Sequence, residues 1–532
     1  MKKKYVRWTL WTIASPFILF IILCILIYLP PIQNFLVDKA AVYASEATGM
    51  NISVGRISLS FPLNLVVTNV DAASPHNDTL LSVRRLQVNV QLLPLLKKQV
   101  EVDGISLQGA TVNSNDLIHG MKLNGTLGEL FISSHGVALD PETAIVNKVL
   151  LKDTDLSLCL NDTAAADTAA SDTTYWKIIL QDIDLQNVSF ALDMPLDSLS
   201  LAASLDNAIL RDGLIDLHKS AYSLQTFRIE NGRVRYDNGK PLAADSLSSG
   251  LDPSHIALTD IGVKLDSLYY GGRNMKAIIS QFVLKERSGV EIVSATGRMV
   301  SNDKVLRVPS LKLETRDSYL ELNAAMDWNA LDFKGEGLMS ARLMADIGKP
   351  DVVRFMGRMD EKFVRQYPSE PLRIRTGIDG DLNKLKLTTL TAELPGALGL
   401  FARGELTHLT DSLLRGGDIT LEAETKDLKF VSTLAEGIEI PYGTRLEGKF
   451  TMAGAKMGTD LLLMQPEAQA VAAADTIPIT VYNDSISVAD DFKMERAARL
   501  FAKYDLSRDR YEADLAVNHF DPVSYTHLTL PT

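Results

Sequence analysis

The sequence predicts a mainly β protein: an N-terminal transmembrane helix followed by a long antiparallel, repetitive β-sheet with a few short helices. Three observations carry this. Residues 8–29 form an uncharged apolar run. From residue 50 onward apolar and polar residues alternate with period two, the mark of a strand with one buried face. Such runs of about 6–9 residues return about every 10–15 residues, separated by Gly-, Asn- and Asp-rich pairs.

Residues 1–7 are a basic tail containing Lys2, Lys3, Lys4 and Arg7. Residues 8–29 follow; at about 1.5 Å of rise per residue they span a bilayer core of roughly 30 Å. The basic tail keeps the N-terminus cytoplasmic and sends the bulk of the chain across the membrane. A cleaved signal peptide is the alternative. Against it, the run is longer than a usual signal core and no small-x-small cleavage site follows. Leu23 before Cys24 is not the small residue that a lipoprotein site needs. The expected outcome is a retained single-pass anchor: mature protein begins at or near Met1 and stays with membranes through carbonate washing. N-terminal sequencing that starts beyond Leu29 overturns this.

Residues 30–49 read as a short amphipathic helix, with Ile32, Phe35, Leu36, Ala40, Val42 and Tyr43 at helical spacing and Gly49 as its stop. Residues 50–160 form a first β region. Leu86, Val88, Val90 and Leu92 alternate with Gln87, Asn89 and Gln91. Val100 and Val102 continue the pattern. At Asp103-Gly104 the phase shifts by one before Ile105, Leu107 and Val112 resume, which predicts a bulge or tight turn. Residues 161–174 (NDTAAADTAASDTT) are low-complexity and predict an exposed loop. Thr163, Thr168 and Thr173 there sit in Asp-Thr-small triplets that resemble the O-glycosylation acceptors of Bacteroidota; a plain polar linker is the alternative reading. Residues 175–520 continue the β pattern. Phe227 and Ile229 lead through Asn231-Gly232 to Val234 and Tyr236, which predicts a hairpin. Gly271-Gly272 and Gly416-Gly417 read as turns. Two segments read as helices that plug or cap the sheet, or simply pack on it. Residues 350–367 carry Val352, Val353, Phe355, Met356, Met359 and Phe363; residues 490–504 carry Phe492, Met494, Ala498, Leu500 and Phe501. Residues 521–532 resemble a translated sequencing adapter and are read as an artefactual terminus.

The 54 Lys and Arg against 66 Asp and Glu leave a net charge of −12, which argues against nucleic acid as a partner. The two cysteines are Cys24, in the apolar run, and Cys159, so no intrachain disulfide is expected. The eight histidines are scattered without metal-ligand spacing, and no metal or other cofactor is expected. No phosphate-binding loop, dinucleotide fingerprint or nucleophile elbow precedes a helix. Carboxylates fall on the polar phase of strands or in turns. Together these lower the prior for an enzyme. With 7% aromatic residues and four Trp, there is little sign of the aromatic platforms of a glycan enzyme.

The N-terminal pattern resembles one family. After the anchor and short helix come Thr48-Gly49-Met50-Asn51-Ile52-Ser53-Val54-Gly55-Arg56-Ile57-Ser58-Leu59-Ser60-Phe61-Pro62, then Asp78-Thr79-Leu80-Leu81-Ser82-Val83. Leu95-Leu96-Lys97-Lys98 and Val100-Glu101-Val102-Asp103-Gly104-Ile105 complete the set. This looks like the start of an AsmA-like protein, in particular the TamB branch of Bacteroidota, and covers about residues 1–115. The resemblance implies a sheet curled into an open apolar groove, along which phospholipid slides from the inner membrane, across the periplasm, toward the outer membrane. It also implies an Omp85-type outer-membrane barrel as partner, met through a C-terminal region that this sequence lacks. The groove candidates are Leu86, Val88, Val90, Leu92, Val100, Val102, Ile105 and Leu107. The same residues would serve equally as an ordinary core. A closed sandwich, barrel or β-solenoid gives the same alternation, and a scaffold or chaperone for outer-membrane protein assembly is the alternative function.

Overall fold

The computed structural model describes residues 49–518 except 61–63, 75–78, 91–101, 115–119, 139–141, 162–174, 241–249, 332–336, 358, 435–442, 467–478, 483–484, 489–493 and 509. It also describes Lys39, Ala41, Val42 and Ser45, of which Lys39, Ala41, Val42 and Ser45 are helical. Gly49 takes φ +70° and donates its N–H to the Ser45 carbonyl. The predicted anchor, Thr163, Thr168, Thr173, Leu92 and Val100 lie outside the described residues. Among the described residues no helix is long and apolar enough to cross a membrane.

The chain is mainly β. Twenty-four strands are hydrogen-bonded into sheet, and two more form a separate hairpin. The chain divides into two units, residues 1–241 with 254–271, and residues 242–253 with 272–532.

The first unit holds β1 (Asn51–Ser60), β2 (Asn64–Ala73), β3 (Thr79–Val90), β4 (Val102–Asn113), β5 (Met121–Ala138), β6 (Thr143–Leu160), β7 (Lys177–Met194), β8 (Leu199–Asp216), β9 (Ala221–Leu224), β10 (Thr226–Asp237) and β11 (His255–Gly271). Each of β1 to β8 pairs with the next in sequence. All of these pairs are antiparallel except β6–β7, which is parallel, so the all-antiparallel expectation fails there. The short β9 and then β10 form one interrupted rung between β8 and β11. The strands run to 18 residues in β5 to β8, about twice the length expected from alternation. The reason is that alternation resets part-way along each strand without ending it.

The expected hairpin at Asn231-Gly232 is one such reset. Both residues lie inside β10, and pairing to β11 shifts register around them. Asn231 takes φ +53°, which Asn tolerates within a strand as readily as in a turn. At the predicted irregularity in β4, pairing with β3 passes from Asn89–Gly104 to Val90–Val102 and skips Asp103.

The second unit holds β12 (Asn274–Glu286), β13 (Glu291–Ser301), β14 (Val305–Thr315), β15 (Tyr319–Asp327), β16 (Met339–Ile347), α1 (Lys349–Phe355), α2 (Glu361–Gln366), β17 (Leu372–Gly380), β18 (Lys384–Leu394), β19 (Leu398–Thr407), β20 (Gly416–Thr425), β21 (Arg445–Ala453), β22 (Lys456–Pro466), β23 (Ile479–Tyr482), β24 (Ser485–Val488), β25 (Met494–Asp505) and β26 (Arg510–Val517). β23 and β24 are the separate hairpin. Gly416 and Gly417 open β20, paired to Thr407 and Leu406, rather than forming the turn. Of the helix expected over residues 490–504, the described part, from Met494 on, is instead strand β25. Its helix-forming Glu, Arg, Ala and Leu are overruled because both edges find backbone partners, in β22 and in β26.

The helix expected over residues 350–367 is present as two short pieces, broken at Gly357 with φ +76°. α1 docks through Asp351, which is 1% exposed. Its carboxylate accepts from the Thr315 and Ser318 hydroxyls and pairs with Arg354 at 3.0 Å. Arg354 also meets Asp317 at 2.8 Å. Phe363 of α2 (1% exposed) and Tyr367 pack against Leu394, Ala397, Leu428 and Phe430. The Phe363, Tyr367 and Phe430 rings lie with centroids 5.1–5.7 Å apart.

Glu424, near the end of β20, and Lys426, one residue past it, are 5% and 6% exposed. Among the described residues neither Glu424 Oε2 nor Lys426 Nζ has a hydrogen-bond partner. Burial pushes the Glu424 carboxyl up, opposed by Arg445 and Lys426, and pushes the Lys426 ammonium down, opposed by Glu424. Both shifts mean that holding the charged forms costs the folded state. Glu424→Leu together with Lys426→Met is therefore expected to raise stability at neutral pH by about 1–4 kcal/mol, while Lys426→Met alone lowers it. Thermal denaturation of the single and double variants checks this.

Candidate functional site: the apolar face of the first unit

The cross-strand register of the first unit joins apolar residues into rows that run from strand to strand. One row is Leu59, Leu65, Val88, Ile105, Ile132, Val149, Ile183, Leu210, Phe227 and Leu265. The next, two residues along each strand, is Ile57, Val67, Leu86, Leu107, Leu130, Leu151, Leu185, Ala208, Ile229 and Val263. Each row crosses ten strands without a polar residue. Side chains two apart on a strand share a face, so both rows lie on the same one.

Of these twenty residues only Ala208 is buried; the others keep part of their surface. A face packed under a second layer would bury most of them. Among the described residues, the cluster of large buried side chains is the α2 cluster in the second unit. The first unit thus presents a broad aliphatic surface.

The apolar face continues past a break. Beyond the second row, a polar row runs through Arg56, Thr68, Arg85, Gln108, Glu129, Lys152, Gln186, Asn207 and Glu230. The next position is skipped by the ladder at Gly55, Asn69, Arg84, Gly109, Gly128, Asp153, Asn187, Asp206 and Asn231. Then Val54, Val70, Val83, Ala110, Leu127, Thr154, Val188 and Leu205 pair in a further row. The skipped positions favour residues that accept a left-handed backbone: Asn69 (φ +52°), Gly109 (+62°), Asp153 (+50°) and Asn187 (+51°). Small residues face large ones across the skip. A Cβ on Gly128 would lie 2.8 Å from the Asp153 Cβ, and one on Gly55 3.1 Å from the Asn69 Cβ. Asn187 donates to Asp153 at 2.8 Å, and Asn231 donates to Asp206. On the reverse side, Arg211 forms ion pairs with Asp182 at 3.0 Å and Asp184 at 2.7 Å.

The structure places the described groove candidates together. Leu86 pairs with Leu107, Val88 with Ile105, and Val90 with Val102 in backbone register. Leu86, Val88, Val90, Ile105 and Leu107 are partly buried. Gln87 and Asn89 occupy the alternate positions of β3, joined by a 3.1 Å hydrogen bond. Sequence reasoning missed the other strands' contribution. The signal was there as apolar residues three apart around two polar or glycine ones: Val83 and Leu86, Leu107 and Ala110, Leu185 and Val188. Among the described residues, no three His, Cys, Asp or Glu side chains gather as a metal site.

No family model matches the chain, and no curated protein matches it by sequence.

Proposed function

We propose that this chain is a membrane-anchored carrier that moves acyl lipid along the apolar face of its first unit, from an inner membrane toward an outer one. The observation that supports this reading is the pair of unbroken aliphatic rows across ten strands, nineteen of whose twenty residues stay partly accessible. Aliphatic surface lowers the cost of carrying a hydrocarbon tail through water by about 0.8 kcal/mol for each CH₂ it covers. A strand panel of six residues, roughly 20 Å long, accommodates a tail whose bilayer leaflet is half of a ~30 Å core. No bond is made or broken, so no catalytic residue is required.

A scaffold role in outer-membrane protein assembly is the second reading. It draws on β26, exposed along its whole length and, among the described residues, paired only to β25. A strand edge of that kind can accept an added strand.

Photo-crosslinking in cells separates the two. A photoreactive residue at Val88 or Val90 is expected to give phospholipid adducts, and one at Gln87 or Asn89 to give few. Adducts at neither pair, with protein adducts along Arg510–Val517, would favour the scaffold.

A further inference from the structure

The skipped row described above has a counterpart. In β4, β6, β7 and β8 the ladder also skips Asp103, Asn147, Gln181 and Asp212. Between β9 and β10 the rung is interrupted at Gln225. Each of these lies six residues from its partner in the first row: Asp103 from Gly109, Asn147 from Asp153, Gln181 from Asn187, Asp212 from Asp206, and Gln225 from Asn231. Asp212 is again left-handed, with φ +52°, and Asn147 donates to Gln181 at 3.2 Å. Apolar residues again sit three apart across the break: Val149 and Val146, Ile183 and Leu180, Phe227 and Leu224, Leu265 and Leu268.

We propose that the two rows are fold lines that turn both margins of the first unit's sheet toward its apolar side, and that the panel between them sets the length of acyl chain the face accepts. The length claim rests on the lipid-carrier reading; the fold lines do not. Two physical facts support the fold. A regular strand would send the apolar set to the opposite face after one skipped residue. Here the irregular residue resets the phase, so Val188, Leu185, Ile183 and Leu180 stay on one face over the whole of β7. At the first line two successive polar residues, such as Arg84-Arg85 or Gln186-Asn187, are exposed where the apolar face has none, and at the second line one of each polar pair is exposed, as at Lys148, Gln181 and Asp212. Irregularities of this kind bend a strand and increase its local twist. The extra residues on the reverse side make that side the longer, convex one. The lines are parallel because the register aligns them across the strands, so the bends add into a crease instead of cancelling.

Six residues at about 3.3 Å put the lines roughly 20 Å apart. A chain lying along a strand on this panel meets flat aliphatic surface for that distance and must bend to go further. Each added CH₂ should therefore tighten binding about fourfold until the panel is filled, and contribute little beyond it.

Two measurements on the full chain in amphipol test this. The first is displacement of a fluorescent fatty acid by saturated fatty acids of about 10 to 22 carbons. The expected result is a rise in affinity that stops at about 16–18 carbons, the tails of a ~30 Å bilayer core. A rise that continues through the longest chain overturns the length claim. The second is the distance between spin labels at Lys177→Cys and Asp193→Cys on the reverse side of β7, with Cys24 and Cys159 changed to Ser. A flat strand would hold them about 53 Å apart, and two folds bring them below about 45 Å. A distance near the flat value overturns the fold lines. If no fatty acid displaces the probe at any length, the lipid-carrier reading falls together with the length claim, and the label distance still decides the fold lines.

Discussion

Val90→Asp is expected to abolish lipid passage while leaving the protein folded. Val90 sits at the end of β3, in register with Val102, partly buried beside the aliphatic rows. Without lipid, a carboxylate there stays hydrated, because among the described residues no second layer covers the face to desolvate it; the cost to folding should be below about 1 kcal/mol, as for other accessible sites. With lipid, the ion is trapped against hydrocarbon without a partner, which costs several kcal/mol. Each 1.4 kcal/mol is about tenfold in affinity, so the loss of lipid binding should reach two to three orders of magnitude. Asn89→Asp, on the alternate position of the same strand, is the control and should leave binding unchanged. The measurements are lipid co-purification and phospholipid transfer beside a thermal melt. If Val90→Asp unfolds the protein and no lipid adduct forms at Val88 or Val90, the face is a closed core and the scaffold reading moves ahead.

Phe363→Ala should destabilise the second unit by about 3–5 kcal/mol, the cost of emptying a fully enclosed aromatic site. Phe363 is 1% exposed and holds α2 against Leu394, Ala397, Leu428 and Phe430. A helix of six residues has little stability of its own, so its order depends on this contact. Hydrogen exchange should show amides of α1 and α2 losing protection together, with the β1–β8 amides unchanged. Protection that falls equally throughout would mean that the two helices are not a locally held unit. Retained protection in α1 alone would assign its order to Asp351 and its hydroxyl partners instead.

Much of this was legible in the chain. Period-two alternation at Leu86, Val88 and Val90 identified strands, because a half-buried pleat demands it whatever the neighbours are. The pairing of residues 350–367 with helix also came through, since Val352, Met359 and Phe363 recur at helical spacing and Gly357 marks the break. Residues 490–504 show the limit. Phe492, Met494, Ala498, Leu500 and Phe501 fit a helical stripe about as well as a strand, and local propensity favours the helix. The choice was made by hydrogen bonds to β22 and β26, which no local pattern contains. The glycosylation candidates and the anchor belong to the sequence reading alone.

Local sequence carries which residues are apolar and with what period, and hence that the chain from about residue 50 onward is built of strands with one aliphatic face. Pairing between distant segments sets that Asn231-Gly232 sits inside a strand instead of ending one, that β6 and β7 run parallel, and that breaks in nine separate strands line up. The physical reason is that an Asn or Gly with positive φ is compatible with both a turn and an in-strand irregularity. Which one forms depends on whether the next strand offers hydrogen-bond partners beyond it, and that is a property of register between strands, not of any one segment.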